Sequence, residues 1–235
     1  MKIVSLVPSV TETLLSWDVL PAACTRFCEQ PSLVHVGGTK NPDIDRIAQM
    51  APDLVVMDEE ENRLEDYQRL VSAGIEVHVL AIRSIEDLDR ELGALAQRVG
   101  AHWQRLGPLE KAPLTISAFV PIWRRPYMAL GEPTYGASLL LRLGVVSAFA
   151  CEGPYPKVSL EQAAARHPDL VLAPSEPYPF SRRHLSELED VAPVVFIDGK
   201  DLFWWGARTK AAMGRLRQAL APFGVWPDQP SSPVT

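Results

Sequence analysis

An internal repeat is the feature that most constrains the fold of this chain. Residues 52–56, with the sequence PDLVV, follow a short helical pattern, and residues 168–172, with the sequence PDLVL, follow another one in the second half. A second pair of similar segments, 8–15 and 133–140, occurs in the same order. Two similar halves in which strands and helices alternate predict two α/β lobes with a cleft between them.

Composition narrows the class of protein. The chain has 235 residues, of which 47% are hydrophobic, enough for one large domain or two lobes of about 100 residues each. A net charge of -6 without a block dense in Lys and Arg predicts that neither nucleic acid nor an anionic membrane surface is a partner. We expect a monomer. As printed, the chain begins directly with a predicted strand, which predicts a leaderless cytoplasmic protein, or a periplasmic one if a leader was removed.

The cysteines do not predict a metal site. Cys24, Cys28 and Cys151 give an odd number, and no second Cys/His pair has the spacing that would complete a zinc site. We expect Cys24 and Cys28 to be two partly buried thiols near a strand. A disulfide between them is expected only in an oxidising compartment.

Short β-branched runs alternate with helical patterns, which is typical of βαβ units and a mostly parallel sheet. The first helix is predicted to begin with Ser9 or Thr11 as its cap. The predicted strands are 3–7, 53–57, 75–80, 114–119, 170–173 and 194–197. The predicted helices are 10–17, 43–50, 63–72, 84–106, 137–143, 159–166, 182–189 and 209–220.

The helix predicted over 84–106 has the strongest apolar period in the chain, with a capping Ser84 and a stop at Gly107. About 23 residues would form a rod of roughly 35 Å, long enough to connect two lobes rigidly. The alternative is an ordinary surface helix of one domain. The predicted organisation is a first lobe over 1–83, this helix over 84–107, a second lobe over 108–222 and a disordered tail over 223–235.

Four segments carry a family resemblance: 7–14 (VPSVTETL), 36–43 (VGGTKNPD), 52–55 (PDLV) and 123–135. They resemble the class III, helical-backbone substrate-binding proteins of metal-chelate ABC importers, and the cobalamin-binding members are the nearest. The resemblance covers Ile3 to about Leu220. It implies two Rossmann-like α/β lobes joined by one long backbone helix, a bound chelate such as cobalamin, haem or a ferric siderophore, an ABC permease as partner and no intrinsic cofactor.

Ligands of parallel α/β lobes bind beyond the carboxyl ends of the strands, so we expect the binding residues directly after each strand. Aromatic rings at such positions can cover a corrin or porphyrin face, although single rings can also seal a loop against the core. The residues selected by this rule are Pro8, Ser9, Thr11, Glu59, Glu60, Asn62, Trp123, Tyr127, Tyr135, Tyr178, Phe180, Phe203, Trp204 and Trp205.

Charged residues add two hypotheses about the ligand. Arg208 can bind a propionate, amide or phosphate group with its planar fork, or it can pair with Asp201 on the same loop. The acidic run 59–61 is either a solvated loop or a source of hydrogen bonds to ligand amides. The two glycines before Thr39 lack the spacing of a nucleotide-binding loop, so nucleotide binding is not expected.

The resemblance also implies that a carboxylate on each lobe meets arginines of the transporter, and Glu65 and Glu187 lie on the corresponding predicted helices. The alternative function is a leaderless cytoplasmic enzyme or sensor that handles a corrin or porphyrin cofactor, as a chelatase does. The five histidines share no ligand spacing, and the chain has no nucleophile elbow. We therefore predict a binding protein without catalytic residues.

Overall fold

A computed structural model describes residues 1–107, 112 and 115–225 of this chain. The chain divides into two units. The first lobe comprises Met1–Ile82, Glu86–Leu106 and Trp204–Arg208, and the second lobe comprises the other described residues. The segment 204–208 thus groups with the first lobe, although its position in the sequence suggested the second. From residue 226 onward, the predicted disordered tail lies outside the described residues.

The first lobe is built on a parallel sheet of five strands in the order β3-β2-β1-β4-β5. Its strands are β1 (Ile3–Ser5), β2 (Ala23–Cys24), β3 (Val34–His35), β4 (Leu54–Asp58) and β5 (Val77–Leu80). Its helices are α1 (Pro8–Ser16), α2 (Ile44–Met50), α3 (Leu64–Ser72) and α4 (Asp87–Val99). Val4, Val55, Met57, Ile47 and Leu70 belong to one buried cluster, so apolar sheet residues pack against α2 and α3.

The second lobe has a parallel sheet of four strands in the order β12-β11-β6-β9 and an antiparallel sheet of three strands in the order β10-β8-β7. Its strands are β6 (Ile116–Phe119), β7 (Pro121–Trp123), β8 (Tyr127–Ala129), β9 (Val145–Ser147), β10 (Lys157–Val158), β11 (Leu170–Pro174) and β12 (Val194–Ile197). Its helices are α5 (Tyr135–Arg142), α6 (Leu160–Ala164), α7 (Leu185–Leu188), α8 (Gly199–Phe203) and α9 (Thr209–Leu220). The hairpin β7–β8 lies where the sequence predicted only a loop.

The repeat in the sequence corresponds to a repeat in structure. The order β2-β1-β4-β5 in the first sheet corresponds to β9-β6-β11-β12 in the second. The Asp53 carboxylate accepts the Lys2 N–H at 2.5 Å, and the Asp53 N–H donates to the Lys2 carbonyl at 2.9 Å. Asp169 makes the same two bonds with Ser117, at 2.7 and 2.8 Å. Each repeated Asp therefore aligns a central strand with its neighbour.

The helix predicted over 84–106 is shorter than expected. Helix α4 has 13 residues and ends at Gly100, which has a left-handed φ of 72°. The Ala101 N–H donates to the Ala96 carbonyl at 2.8 Å, as in a glycine-terminated helix end. Ser84 does not cap the helix, because Glu86 occupies the N-cap position. The apolar period continued through Gly100 in sequence, but the left-handed turn ends the helix there.

None of the helices in the described part of the chain is long and apolar enough to cross a membrane. The longest helix, α4, is amphipathic and buries Leu88, Leu92 and Leu95 on one side. The apolar side of α4 is therefore a packing surface.

Candidate functional site

Thr11 is a core residue of the first lobe. Its side chain is fully buried, and its Oγ1 lies 2.8 Å from Ser5 Oγ and 3.2 Å from both the Val7 carbonyl and Cys28 Sγ. The predicted cap is wrong, because Val7 occupies the N-cap position without a side-chain bond and α1 already begins at Pro8. A proline at the first turn needs no partner for an N–H, which explains the earlier start.

Ser9, another predicted ligand residue, is also buried, and its carbonyl accepts the Thr13 hydroxyl at 2.8 Å. Ser9 and Thr11, the polar residues of α1 that follow β1, therefore both lie inside the first lobe. In this structure the Thr11 hydroxyl and the Ser9 carbonyl form hydrogen bonds within the lobe.

Cys24 and Cys28 are free thiols and both are buried, more deeply than the sequence suggested. The hydrogen bond from Cys24 lowers the pKa of Cys28 to about 6 against the effect of burial, and bonds from Thr11 and Thr25 act in the same direction. The same thiol–thiol bond raises the pKa of Cys24. Cys151 is exposed. Over residues 1–107, 112 and 115–225, no three His, Cys, Asp or Glu side chains are grouped as a metal site would require.

Asn62, predicted to face the ligand, joins three segments of the first lobe. Its Nδ2 donates to the Leu6 carbonyl at 3.2 Å and to the Thr39 carbonyl at 2.9 Å, and its Oδ1 accepts the Asp58 N–H at 2.9 Å. The residue is buried. Both the oxygen and the nitrogen of the amide therefore form hydrogen bonds within the first lobe. The side chain connects the loop of Gly37, Gly38 and Thr39, which we call the glycine loop, to the ends of β1 and β4.

Asp58 ends strand β4 and turns its carboxylate inward. Its Oδ1 accepts the N–H groups of Glu60 and Glu61 at 3.0 and 3.1 Å, whereas its Oδ2 is buried without a hydrogen-bond partner. Burial raises the pKa of Asp58 to about 7. The backbone of the acidic run is thus fixed by Asp58, while the side chains of Glu59 and Glu60 are exposed at the surface.

The first lobe also has an exposed aromatic residue, Phe27, that the sequence pattern did not predict. Phe27 follows β2 and is 49% exposed, and the Arg26 guanidinium lies 4.9 Å above its ring. A Cβ on Gly38 would lie 3.0 Å from the Phe27 ring, so the pair packs closely on the glycine loop. Strand β2 has only two residues, too few for a periodic signal in the sequence, so no strand end is predicted before Phe27.

Four aromatic residues of the second lobe pack together, and we call Trp123, Tyr127, Tyr178 and Phe180 the aromatic cluster. Trp123 is 45% exposed and meets Tyr178 edge-on at 5.8 Å. Tyr178 lies 4.8 Å from Phe180, which stacks on Tyr127 at 6.3 Å with an interplanar angle of 12°. The structure therefore brings together residues that the sequence listed after different strands, in an arrangement that leaves the Trp123 ring accessible.

An ion pair borders the aromatic cluster. Arg124 Nη2 donates to Glu187 Oε2 at 2.9 Å, and Arg124 Nε lies 2.9 Å from Glu187 Oε1. Burial opposes ionisation of Glu187, but its hydrogen bond with Arg124 and the nearby Tyr127 hydroxyl outweigh this effect, so the pKa of Glu187 is lowered. Burial is the main cause that raises the pKa of Tyr127 to about 12. Glu187, predicted as a docking carboxylate, is thus paired within its lobe, while Glu65 in the first turn of α3 is exposed.

Tyr135 is buried at the start of α5, and its hydroxyl lies 3.0 Å from Thr209 Oγ1. Thr134 caps this helix by accepting the Ala137 N–H at 3.2 Å. The sequence placed Tyr135 in a loop that faces the ligand, but the helix begins two residues earlier than predicted and turns the ring inward.

Arg208 forms an ion pair that the sequence did not suggest. Its Nε and Nη2 donate to the two Glu12 oxygens at 2.7 and 2.8 Å, and its guanidinium lies 5.2 Å from the Trp204 ring centre. The alternative partner, Asp201, instead accepts two bonds from Arg215 at 2.6 Å each. The fork of Arg208 is therefore committed to the first lobe.

The remaining predicted aromatic residues differ in exposure. Phe203 and Trp204 are half-buried, and Trp205 is buried. The Ala207 N–H donates to Thr13 Oγ1 at 3.2 Å, which holds this segment on α1. Gly206 allows the close approach, because a Cβ there would lie 2.1 Å from Thr13 Oγ1.

Comparison with known proteins supports a common origin with binding proteins. Residues 3–106 match the model of a family described as periplasmic binding protein. The vitamin B12-binding protein of Salmonella choleraesuis is 25% identical over 189 residues, which cover 73% of this chain and 71% of the relative. The vitamin B12-binding protein of Salmonella typhimurium is 24% identical over the same length.

Solved structures share the fold. The periplasmic vitamin B12 binding protein of Vibrio cholerae has a TM-score of 0.78 at 20% identity and covers 96% of this chain and 98% of its own. The periplasmic heme binding protein of the same organism has a TM-score of 0.74 at 21% identity, with 94% and 99% covered. The mostly parallel α/β fold predicted from the sequence is confirmed. The resemblance seen in the sequence is confirmed as well, because residues 3–106, most of the first lobe, match the periplasmic binding protein family and vitamin B12-binding proteins are similar to most of the chain.

Proposed function

We propose that this chain is a solute-binding protein that captures a metal chelate for ABC-type import, with cobalamin as the first candidate and haem or a ferric siderophore as the others. The curated relatives are vitamin B12-binding proteins, and two of the similar folds belong to a vitamin B12 and a heme binding protein. The observation that carries the proposal is the aromatic cluster, whose Trp123 ring is exposed beside Tyr178.

The chemistry of the aromatic cluster suits a flat macrocycle. Rings offer a large apolar area and lose little conformational entropy on binding, so they stack on a corrin or porphyrin face at low cost. In the first lobe, Phe27 with Arg26 offers a second exposed ring next to a cation. The contact residues that we propose are Phe27, Glu59, Trp123, Tyr127, Tyr178, Phe203 and Trp204.

Six other residues selected from the sequence form the scaffold of this proposal. Their polar atoms are engaged within a lobe or their side chains are buried, so they hold the contact residues in place. These scaffold residues are Ser9, Thr11, Asn62, Tyr135, Trp205 and Arg208.

A permease and an extracytoplasmic location complete the proposal. The similar structures are of periplasmic proteins, which supports import as the role of this chain. Glu65 is exposed near the N-terminus of α3, where a carboxylate is available to arginines of a transporter. Glu187 would have to give up Arg124 to serve in the same way. No relative found here supports the enzyme alternative, since the matches are binding proteins.

Calorimetric titration of the chelate-free protein tests this proposal. Cyanocobalamin, haemin and a ferric siderophore are titrated separately, and cobalt and iron salts without the organic ligand serve as controls. We expect one-to-one saturation by at least one chelate at a Kd of about 1 μM or tighter, and no binding of the salts. Absence of heat with all three chelates would contradict the proposal.

A further inference from the structure

We propose that Arg124 is a positioning residue, which holds the aromatic cluster in the geometry that stacks on the chelate, and that Glu187 acts inside the second lobe as its partner. This inference rests on the proposed function, because the cluster is the proposed ligand surface. It assigns Glu187 a role different from transporter docking.

The position of Arg124 in the chain is the first argument. Arg124 lies in the turn of the hairpin β7–β8, directly after Trp123 and shortly before Tyr127, so it is on the same hairpin as two members of the aromatic cluster. Its partner Glu187 lies on α7, a different element of the same lobe. One hydrogen bond and one ion-pair contact, each at 2.9 Å, therefore hold the hairpin that carries Trp123 and Tyr127 to α7.

Tyr178, a third member of the aromatic cluster, lies close to the same pair. The bond with Glu187 raises the pKa of Arg124, and the phenol groups of Tyr127 and Tyr178 act in the same direction. Tyr178 also lies 5.5 Å from the His184 ring, directly before α7. One guanidinium thus lies among the hairpin and the loop after β11, which carry the rings, and α7, which carries Glu187.

The geometry of the pair explains why arginine occupies this position. A guanidinium binds both oxygens of a carboxylate with a fixed fork, whereas a lysine ammonium offers a point charge without a preferred plane. The side chains of Arg124 and Glu187 are 23% and 26% exposed, so water screens them less than it screens a surface pair. The pair can therefore fix an orientation, which a fully exposed pair does poorly.

The second lobe provides a matched control. Arg166 also pairs with a glutamate, Glu152, and its guanidinium lies 4.4 Å from the Phe149 ring centre. Its side chain and that of Glu152 are 42% and 40% exposed. Arg166→Met removes an Arg–Glu pair next to an aromatic ring without touching the aromatic cluster.

The test compares Arg124→Met, Arg124→Lys and Arg166→Met in two measurements. The first is iodide quenching of Trp123 fluorescence in the chelate-free protein, taken as the difference from the same protein with Trp123→Phe. The second is the Kd for the chelate that binds the unmodified protein. We expect Arg124→Met to increase quenching of Trp123 and to weaken binding at least about tenfold, with partial recovery in Arg124→Lys and no change in Arg166→Met.

Unchanged quenching and unchanged Kd in folded Arg124→Met protein would overturn the inference. If Arg124→Met does not fold, Glu187→Gln replaces it, because the amide keeps the size of the side chain but loses the charge, and the same two results are required. Quenching is measured without ligand, so it tests the positioning role even if no chelate binds. Absence of chelate binding by the unmodified protein would contradict the proposed function separately.

Discussion

The two lobes share a strand order and a pair of Asp bridges, yet they use the residues after their strands in opposite ways. In the first lobe, Thr11, Asp58 and Asn62 turn inward and bond to their own backbone or core. In the second lobe, Trp123 presents its ring at the surface beside the half-buried Tyr178. The comparison shows that the same strand order can carry either buried, hydrogen-bonded polar residues or an exposed aromatic ring at the carboxyl ends of its strands.

Side-chain size explains much of this difference. Small polar side chains reach nearby N–H and C=O groups, so they satisfy the backbone where strands end. Rings find few polar partners at a loop, and they pack on one another instead. If the polar residues after the strands of the first lobe form a scaffold, replacing them should lower stability. If Asp53 and Asp169 are equivalent, replacing either should have the same effect.

The largest expected effect on stability comes from Asp58. Its pKa is about 7 in the folded lobe and about 3.8 in the unfolded chain, so only the folded state holds this proton between these values. The contribution of Asp58 to stability is therefore fully present below about pH 4 and falls as the pH rises to about 7, by about 4 kcal/mol in total. We expect the Asp58→Asn protein to lack this fall in the free energy of unfolding as the pH rises.

Urea unfolding of both proteins between pH 4 and pH 8 measures this effect as the difference between their free energies of unfolding. The difference isolates Asp58 from other titrating groups, because all of them are present in both proteins. A difference that does not change with pH would show that the buried carboxylate is ionised throughout.

Asn62→Ala is expected to cost about 3 kcal/mol of unfolding free energy. The variant loses three hydrogen bonds and leaves the carbonyls of Leu6 and Thr39 and the N–H of Asp58 without that partner, at about 1 kcal/mol each. Urea unfolding measures the change, and Glu65→Gln on the exposed first turn of α3 is the control. Equal stability of Asn62→Ala and the unmodified protein would mean that the hydrogen bonds of Asn62 do not stabilise the first lobe.

The Asp bridges should be equivalent in the two lobes. Asp53→Ala and Asp169→Ala each remove one carboxylate that accepts a strand N–H, so each is expected to cost about 1 kcal/mol. Thermal unfolding of the two variants in parallel gives the comparison. A large cost in one lobe and none in the other would break the equivalence that the repeat suggests.

The sequence predicted the βαβ order, most of the longer strands and the repeat, because these depend on local apolar patterns. It also identified the strand ends where Thr11, Asn62 and Trp123 lie. It did not reveal which side chains turn inward, since that depends on backbone groups far along the chain, such as the Leu6 carbonyl that Asn62 binds. The direction in which a side chain points from a loop is set by tertiary contacts.

The exposure of Phe27 and the partner of Arg208 could not be predicted for similar reasons. Strands β2 and β3 have two residues each, which is too short for any period, so Phe27 after β2 was missed. Arg208 was assigned to the ligand or to Asp201, but its partner Glu12 is almost the whole chain away in sequence. Contacts of that range leave no local pattern.

The most direct test of the account compares Trp123→Ala with Thr11→Val by titration with the chelate that binds the unmodified protein. Trp123 is a proposed ligand contact, whereas Thr11 is a buried scaffold residue of similar strand-end position. We expect Trp123→Ala to weaken binding at least about tenfold and folded Thr11→Val to bind as the unmodified protein does. Loss of affinity in Thr11→Val with none in Trp123→Ala would contradict the account.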